Sequence, residues 1–191
     1  MHTHRSIDIK KYKFNKWTQP VFSDSKLNSG DVWYKLHWST YNGSYYPWLA
    51  FNNNTTKNND CWFTGNVVIS ESAPQWICME CEYPLKLTQV SIMNEKASPI
   101  NFKTGYVQAS NNFSSWTNLA TLTGVNTASK VITATMAPTQ GYRFYRLYFT
   151  SSFAKGSKGV SLQNIVFTGQ IQREVTTAEY NVCTIHDSYR A

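Results

Sequence analysis

The sequence predicts an all-β fold, an antiparallel sandwich of two sheets, and three observations carry that prediction. Apolar side chains recur with period two, short apolar runs are separated by turn-forming clusters, and aromatics are as frequent as charged residues, at 15% each. So low a charge content excludes a coiled coil, a disordered chain and long solvent-exposed helices. With 191 residues the chain is long enough for one large domain with extensions.

The strands follow in order. Val32, Tyr34, Leu36 and Trp38 alternate with Trp33, Lys35, His37 and Ser39, the pattern of a half-buried strand. Residues 48–51 and 76–81 are apolar and β-prone runs, the first closed by Asn52-Asn53-Asn54. Val90 and Ile92 alternate with Gln89 and Ser91, and Tyr145, Leu147 and Phe149 alternate with Phe144, Arg146 and Tyr148. Further strands are expected at 105–110, 116–121, 130–135 and 162–168, with turns at Ser98-Pro99, Ser110-Asn111-Asn112, Gly124 and 155–159. Eight or more short strands at this spacing stack as a sandwich whose inner faces take the alternating apolar residues.

Charge and cysteine content narrow the function. The formal charge is +7, but Arg5, Lys10, Lys11, Lys13 and Lys16 stand against one acid, Asp8, leaving 13 cations and 10 acids for residues 17–191. The basicity belongs to an N-terminal arm, and without a basic helix or stripe elsewhere nucleic acid is not an expected partner. No apolar run approaches the roughly 18 residues of a membrane span, and Met1-His2-Thr3-His4-Arg5 lacks the apolar centre of a signal peptide, so no export address is expected. Cys78-x-x-Cys81 has the spacing of a zinc or redox motif, but on a strand residues three apart point to opposite faces. Cys61, Cys78, Cys81 and Cys183 are therefore expected as buried free thiols, and His2, His4 and His37 show no metal spacing.

Five stretches, in order, resemble the discoidin or coagulation-factor type C domains. Tyr46-Pro47-Trp48-Leu49-Ala50-Phe51-Asn52-Asn53-Asn54-Thr55 with Cys61-Trp62 is similar to that family's opening, and Pro74-Gln75-Trp76-Ile77-Cys78-Met79-Glu80 to its Q-W-I strand. Val107-Gln108-Ala109-Ser110-Asn111-Asn112 leading to Trp116-Thr117, Arg143-Phe144-Tyr145-Arg146-Leu147, and Gly159-Val160-Ser161-Leu162-Gln163-Asn164-Ile165 through Gly169 follow in register. The resemblance spans roughly residues 30–170. It implies an antiparallel jelly-roll sandwich, galactose-binding-domain-like, over residues 31–170, flanked by a docking arm at 1–30 and a tail at 171–191. It also implies a structural calcium at the loop where the family has Asp-Gly-Asn; Asn52-Asn53-Asn54 bring no negative charge there, so no cofactor is expected.

Family members bind glycans, lipids or proteins through loops at one end. Sugars present C–H faces and hydroxyls, so their sites combine an aromatic platform with a few fixed polar groups. Trp38, Tyr41, Tyr45 and Tyr46, interleaved with Ser, Thr, Asn and Gly, suit such a platform, and the resemblance brings Asn94, Glu95, Lys96, Phe153 and Lys155 to the same end. The alternative is that Trp38 and some of the tyrosines cap the core, where Trp48, Trp62, Trp76 and Trp116 are also placed.

Catalysis is not expected. Glu80 and Glu82 on one strand face stand about 7 Å apart, compatible with an inverting glycosidase, but any strand with two acids on its solvent face has that spacing. Cys183, His186 and Asp187 hold the residue types of a triad, yet crowd into a terminal tail, whereas triads converge from separated segments. Ile7, Ile9, Tyr12 and Phe14 give the basic arm apolar anchors for docking on a neighbouring subunit. A sugar-binding-like sandwich with free thiols and docking arms resembles, by analogy, a bacteriophage virion component. The expectation is a non-catalytic carbohydrate-binding module serving as a host-attachment subunit in tail or head, assembled in the host cytoplasm. Its partners are a host surface glycan and other virion subunits; a virion connector without a ligand, or a glycan hydrolase, are the alternatives.

Overall fold

One long strand, bent in its middle, belongs to two sheets at once. The computed structural model describes residues 12–96, 100–154 and 159–174. Among them lie β1 (Tyr12–Thr18), β2 (Lys26–Ser29), β3 (Val32–Trp38), β4 (Trp62–Phe63), β5 (Gln75–Asn94), β6 (Phe102–Ser110), β7 (Thr117–Thr123), β8 (Val131–Thr135), β9 (Tyr142–Ser152) and β10 (Ser161–Glu174). The start of β5 pairs with β3 and β9, giving the order β2-β3-β5-β9-β6-β7; from Leu85 it pairs with β10 and β8, giving β1-β10-β5-β8, with β4 against the start of β10. All pairings are antiparallel, and the expected sandwich is the observed fold.

The bend falls at Cys81-Glu82-Tyr83-Pro84, where the register with β9 jumps from Glu80 to Leu85. Pro84 has no N–H for a ladder and suits this corner. Tyr145 on β9 reaches across the core to it: its hydroxyl donates to Leu85 O at 2.6 Å and accepts from Leu87 N at 3.3 Å. Between the sheets lie Trp62, Phe22, Phe51, Phe102, Phe149 and Phe167 with the alternate aliphatics of β3, β5 and β9. Opposite Lys86 and Leu87, Gly169 sits at a bulge in β10 where a Cβ would collide with Lys86 O, so a bare backbone is required.

Residues 48–51 correct the sequence reading: Pro47–Phe51 is a turn of 3-10 helix burying Leu49, Ala50 and Phe51. Pro47 opens it with a φ already set for helix, and so short an apolar run carries no period to separate turn from strand. Residues 12–18 and 26–29, drawn into the arm, and 171–174, drawn into the tail, are strands of the sheets. Edge strands pair through backbone and need few apolar side chains; β1 buries only Trp17, whose indole N–H donates to Tyr34 Oη at 2.9 Å. Ile7, Ile9, Cys183, His186 and Asp187 lie outside the described residues.

The topology gives the sandwich two distinct ends. Trp38 lies opposite Ile77, Ser152 opposite Phe102 and Leu162 opposite Asn94, so the segments leaving β3, β4, β5 and β9 emerge together. At the other end Tyr12 pairs with Glu174, beside the β5 corner.

Candidate ligand-binding loops

Backbone bonds between neighbouring segments fix the loop end. Asn42 N donates to Phe63 O, Thr64 N to Val160 O, Ser161 N to Ile100 O and Phe153 N to Asn101 O, each at 2.8–3.0 Å. Trp62, buried in the core, donates its indole N–H to Thr40 O at 2.9 Å, and Thr40 Oγ1 donates to Thr64 O at 2.9 Å. The loop after β3 is thereby tied to β4, which pairs with the start of β10.

On this frame the expected aromatics form a connected row. Trp38 meets Tyr41 edge-on at 6.0 Å, Tyr41 meets Tyr46 at 5.6 Å, and Tyr46 lies parallel to Trp48 at 6.2 Å and 8°. Tyr41 and Tyr46 are 44% and 43% exposed, whereas Trp38 and Trp48 pack against the core beneath them. Gly43, with φ +57°, turns the chain between the tyrosines, a conformation a side chain would strain. Pro47 then starts the 3-10 turn that carries Trp48.

Beside the row lies a pocket of about 120 Å³ lined by Tyr45, Asn59, Cys61, Phe63, Glu95, Ile100 and Ser161. Tyr45 stands edge-on to Phe63 at 5.8 Å. Glu95 is 2% exposed, and its Oε1 accepts from Asn59 N at 3.4 Å. Burial, reinforced by the negative charges of Glu95 and Asp60, pushes the Cys61 thiol up to about 12, so it is a neutral wall at ordinary pH. The lining offers hydroxyls, a carboxylate and an amide for hydrogen bonds, together with an apolar floor.

The remaining site residues are placed as follows. Asn94 is fully buried, and its Nδ2 donates to Val125 O and Thr127 O at 2.8 Å, which braces a turn and turns the amide away from any ligand. Lys96 donates from Nζ to Thr56 O at 3.0 Å. Phe153, 36% exposed, sits on the neighbouring loop next to Asn101, and Lys155 lies outside the described residues. Sequence reasoning missed Asn59, Cys61, Phe63, Ile100 and Ser161. Cys61 and Phe63 flank the inward Trp62, so alternation alone was a usable signal for them.

The outer face of the β3-β5-β9-β6 sheet carries residues that motif matching assigned to the core. Trp76 and Trp116 stand there around Arg146, whose guanidinium lies 3.8 Å from the Trp116 ring centre and 4.5 Å from that of Tyr148. Its Nε donates to Gln108 Oε1 at 2.7 Å. Phe113, in left-handed backbone at φ +62°, folds onto His37, Trp76 and Phe144. Glu80 is bound to His37 Nε2 at 2.9 Å and Arg143 Nη2 at 3.0 Å, and Glu82 accepts from Trp33 N at 3.1 Å. Neither carboxylate lines the pocket. Cys78 lies opposite His37 and Arg146 on this outer face, while Cys81 joins the core cluster, so the two sulfurs diverge.

These features define a discoidin-like, galactose-binding-like sandwich, the fold of family 32 carbohydrate-binding modules. No protein-family profile matches the chain, and no curated protein matches it. Among solved structures it is similar to CBM32-3 from a family 31 glycoside hydrolase of Clostridium perfringens, with TM-score 0.58 and 15% identity over 76% of this chain and 95% of that one. The family 32 module of C. perfringens NanJ, solved in complex with galactose, gives TM-score 0.55 and 16% identity over 73% and 93%. A chitosan-binding module from Paenibacillus sp. IK-5 gives 0.56 and 20% over 71% and 94%.

Proposed function

We propose that this chain is a non-catalytic carbohydrate-binding module that holds the end of a glycan at the loops after β3, β4 and β5. The observation that carries this reading is the exposed Tyr41–Tyr46 pair, backed by Trp48, with Tyr45 of the same loop lining a small, largely apolar pocket. The neighbour bound to galactose supports it. A pocket of about 120 Å³ is small against ordinary ligand sites of roughly 300–1,000 Å³, so it takes one edge of a sugar ring while the rest lies on the tyrosines. Glu95 and Tyr45 orient hydroxyls, and the rings supply C–H stacking. Glu80 and Glu82, held on the outer sheet face by His37, Arg143 and Trp33, favour a binding over a hydrolytic role.

Titration with galactose, N-acetylgalactosamine and glucosamine oligomers, followed by NMR, tests the proposal. Binding is expected at millimolar concentration or tighter, with Tyr41→Ala and Tyr46→Ala each weakening it about tenfold, near 1.4 kcal/mol. No sugar retained on a glycan array at millimolar concentrations would reject it and leave the structural connector.

The finer reading is an attachment subunit of a bacteriophage particle, in tail or head, assembled in the host cytoplasm. It is supported by the pairing of Tyr12 with Glu174 at the end of the sandwich away from the loops, so that the described strand ends and the loops face opposite ways. Antibodies to this chain should decorate intact particles; a chain found only outside particles rejects the placement.

A further inference from the structure

We infer that the side-chain amide of Gln163 takes the place of a cation in the loop between the 3-10 turn and β4, so that this wall of the pocket folds without divalent metal. The carbonyl oxygens of Asn54, Lys57 and Asp60 converge on Gln163 Nε2 at 3.1, 2.9 and 2.9 Å. Three inward carbonyls repel one another unless something positive stands between them, and the choices are a metal ion or an N–H group. Gln163 is fully buried on β10 and its Oε1 has no hydrogen-bond partner. The three acceptors set that orientation: turned over, the amide would aim oxygen at oxygen.

The donor set does not fit calcium, which takes six to eight oxygens with carboxylates among them. Among the described residues no group of three or more His, Cys, Asp or Glu converges. Asp60 is the loop's carboxylate, and its Oδ2 accepts from Asn52 Nδ2 at 3.0 Å and Asn54 Nδ2 at 2.6 Å, so the amides face it with N–H groups that a cation would repel. Glu95 is turned to Asn59 N and the pocket. Asn54 Oδ1 accepts from Thr56 N and Lys57 N, closing the loop on itself. The network leaves amide hydrogens where the resemblance implies an ion, and it positions Asn59 and Cys61 in the pocket wall.

Melting of the full chain in millimolar calcium chloride and in EDTA is the test, and it does not depend on any sugar being bound. The midpoints are expected to agree within about a degree, and Gln163→Leu to melt roughly 5 °C lower in both solutions. Gln163→Glu aims a carboxylate at the three carbonyls; it should melt lower in EDTA and recover several degrees with calcium. A wild-type midpoint that falls on chelation would overturn the inference. So would a Leu variant melting like the wild type, or a Glu variant that ignores calcium.

Discussion

Cys61, Cys78 and Cys81 are free and buried, and burial raises all three thiols, to about 12 for Cys61 and Cys81 and higher still for Cys78. Because the fold prefers the neutral thiol, their contribution is whole below the ordinary value of 9.0 and is lost as pH climbs toward about 12, where the unfolded chain ionises and the folded one resists. Each such thiol costs about 1.4 kcal/mol per pH unit inside that window. Urea midpoints should therefore fall from pH 9 upward, less steeply in Cys81→Ala, and a thiol reagent at pH 8 should leave all three unlabelled in the native chain. Their divergence was legible from period two, whereas Trp76 was misplaced by following the motif instead of the period. With Ile77, Met79 and Cys81 pointing inward, Trp76 has the opposite parity and belongs outside. Trp116 carried no such signal, because it stands just before β7, in a turn without a period.

At the scale of elements, β5 shows what alternation leaves unread. Its two halves were legible separately, as the apolar run 76–81 and the alternation around Val90 and Ile92, but no side-chain period joins them across Pro84, where the strand turns a corner and continues into the second sheet. What holds the corner is remote in sequence: the Tyr145 hydroxyl, bonded to Leu85 O and Leu87 N some 60 residues away. Burial raises this phenol's pKa, so it stays a neutral donor. Tyr145→Phe keeps the packing and removes the hydroxyl, leaving its buried backbone partners without it. Stability to urea should drop by about 1–3 kcal/mol with an unchanged slope. A change below 0.5 kcal/mol would mean the corner is held by its ladders alone. The polar strands β1 and β2 were illegible for a related reason, since edge pairing is a backbone property that side-chain pattern does not announce.

For the whole molecule, separation of the ends decides how the module can work. The segments holding Tyr41, Glu95 and Phe153 share one end, fixed by antiparallel registers that a motif order could foretell. The pocket's walls, Asn59, Ile100 and Ser161, needed coordinates, because they come from three segments that meet only in space. Tyr12 and Glu174 are paired at the other end, so cargo joined directly at either residue should not reach the loops. A bulky domain fused immediately before Tyr12 is therefore expected to leave the sugar titration within twofold of the same chain without it. Ser44, exposed beside Gly43, is the opposite case: Ser44→Cys, coupled to a large maleimide at pH 8, should weaken binding tenfold or more. Buried, neutral thiols at 61, 78 and 81 keep the reagent off the core, and a Cys183→Ser background leaves the introduced thiol as the site of reaction. The unlabelled Cys variant separates the adduct's bulk from the loss of the serine. If the labelled chain binds sugar as well as the unlabelled one, the ligand does not sit on the loops after β3, and the outer sheet face around Trp76, Trp116 and Arg146 becomes the surface to titrate.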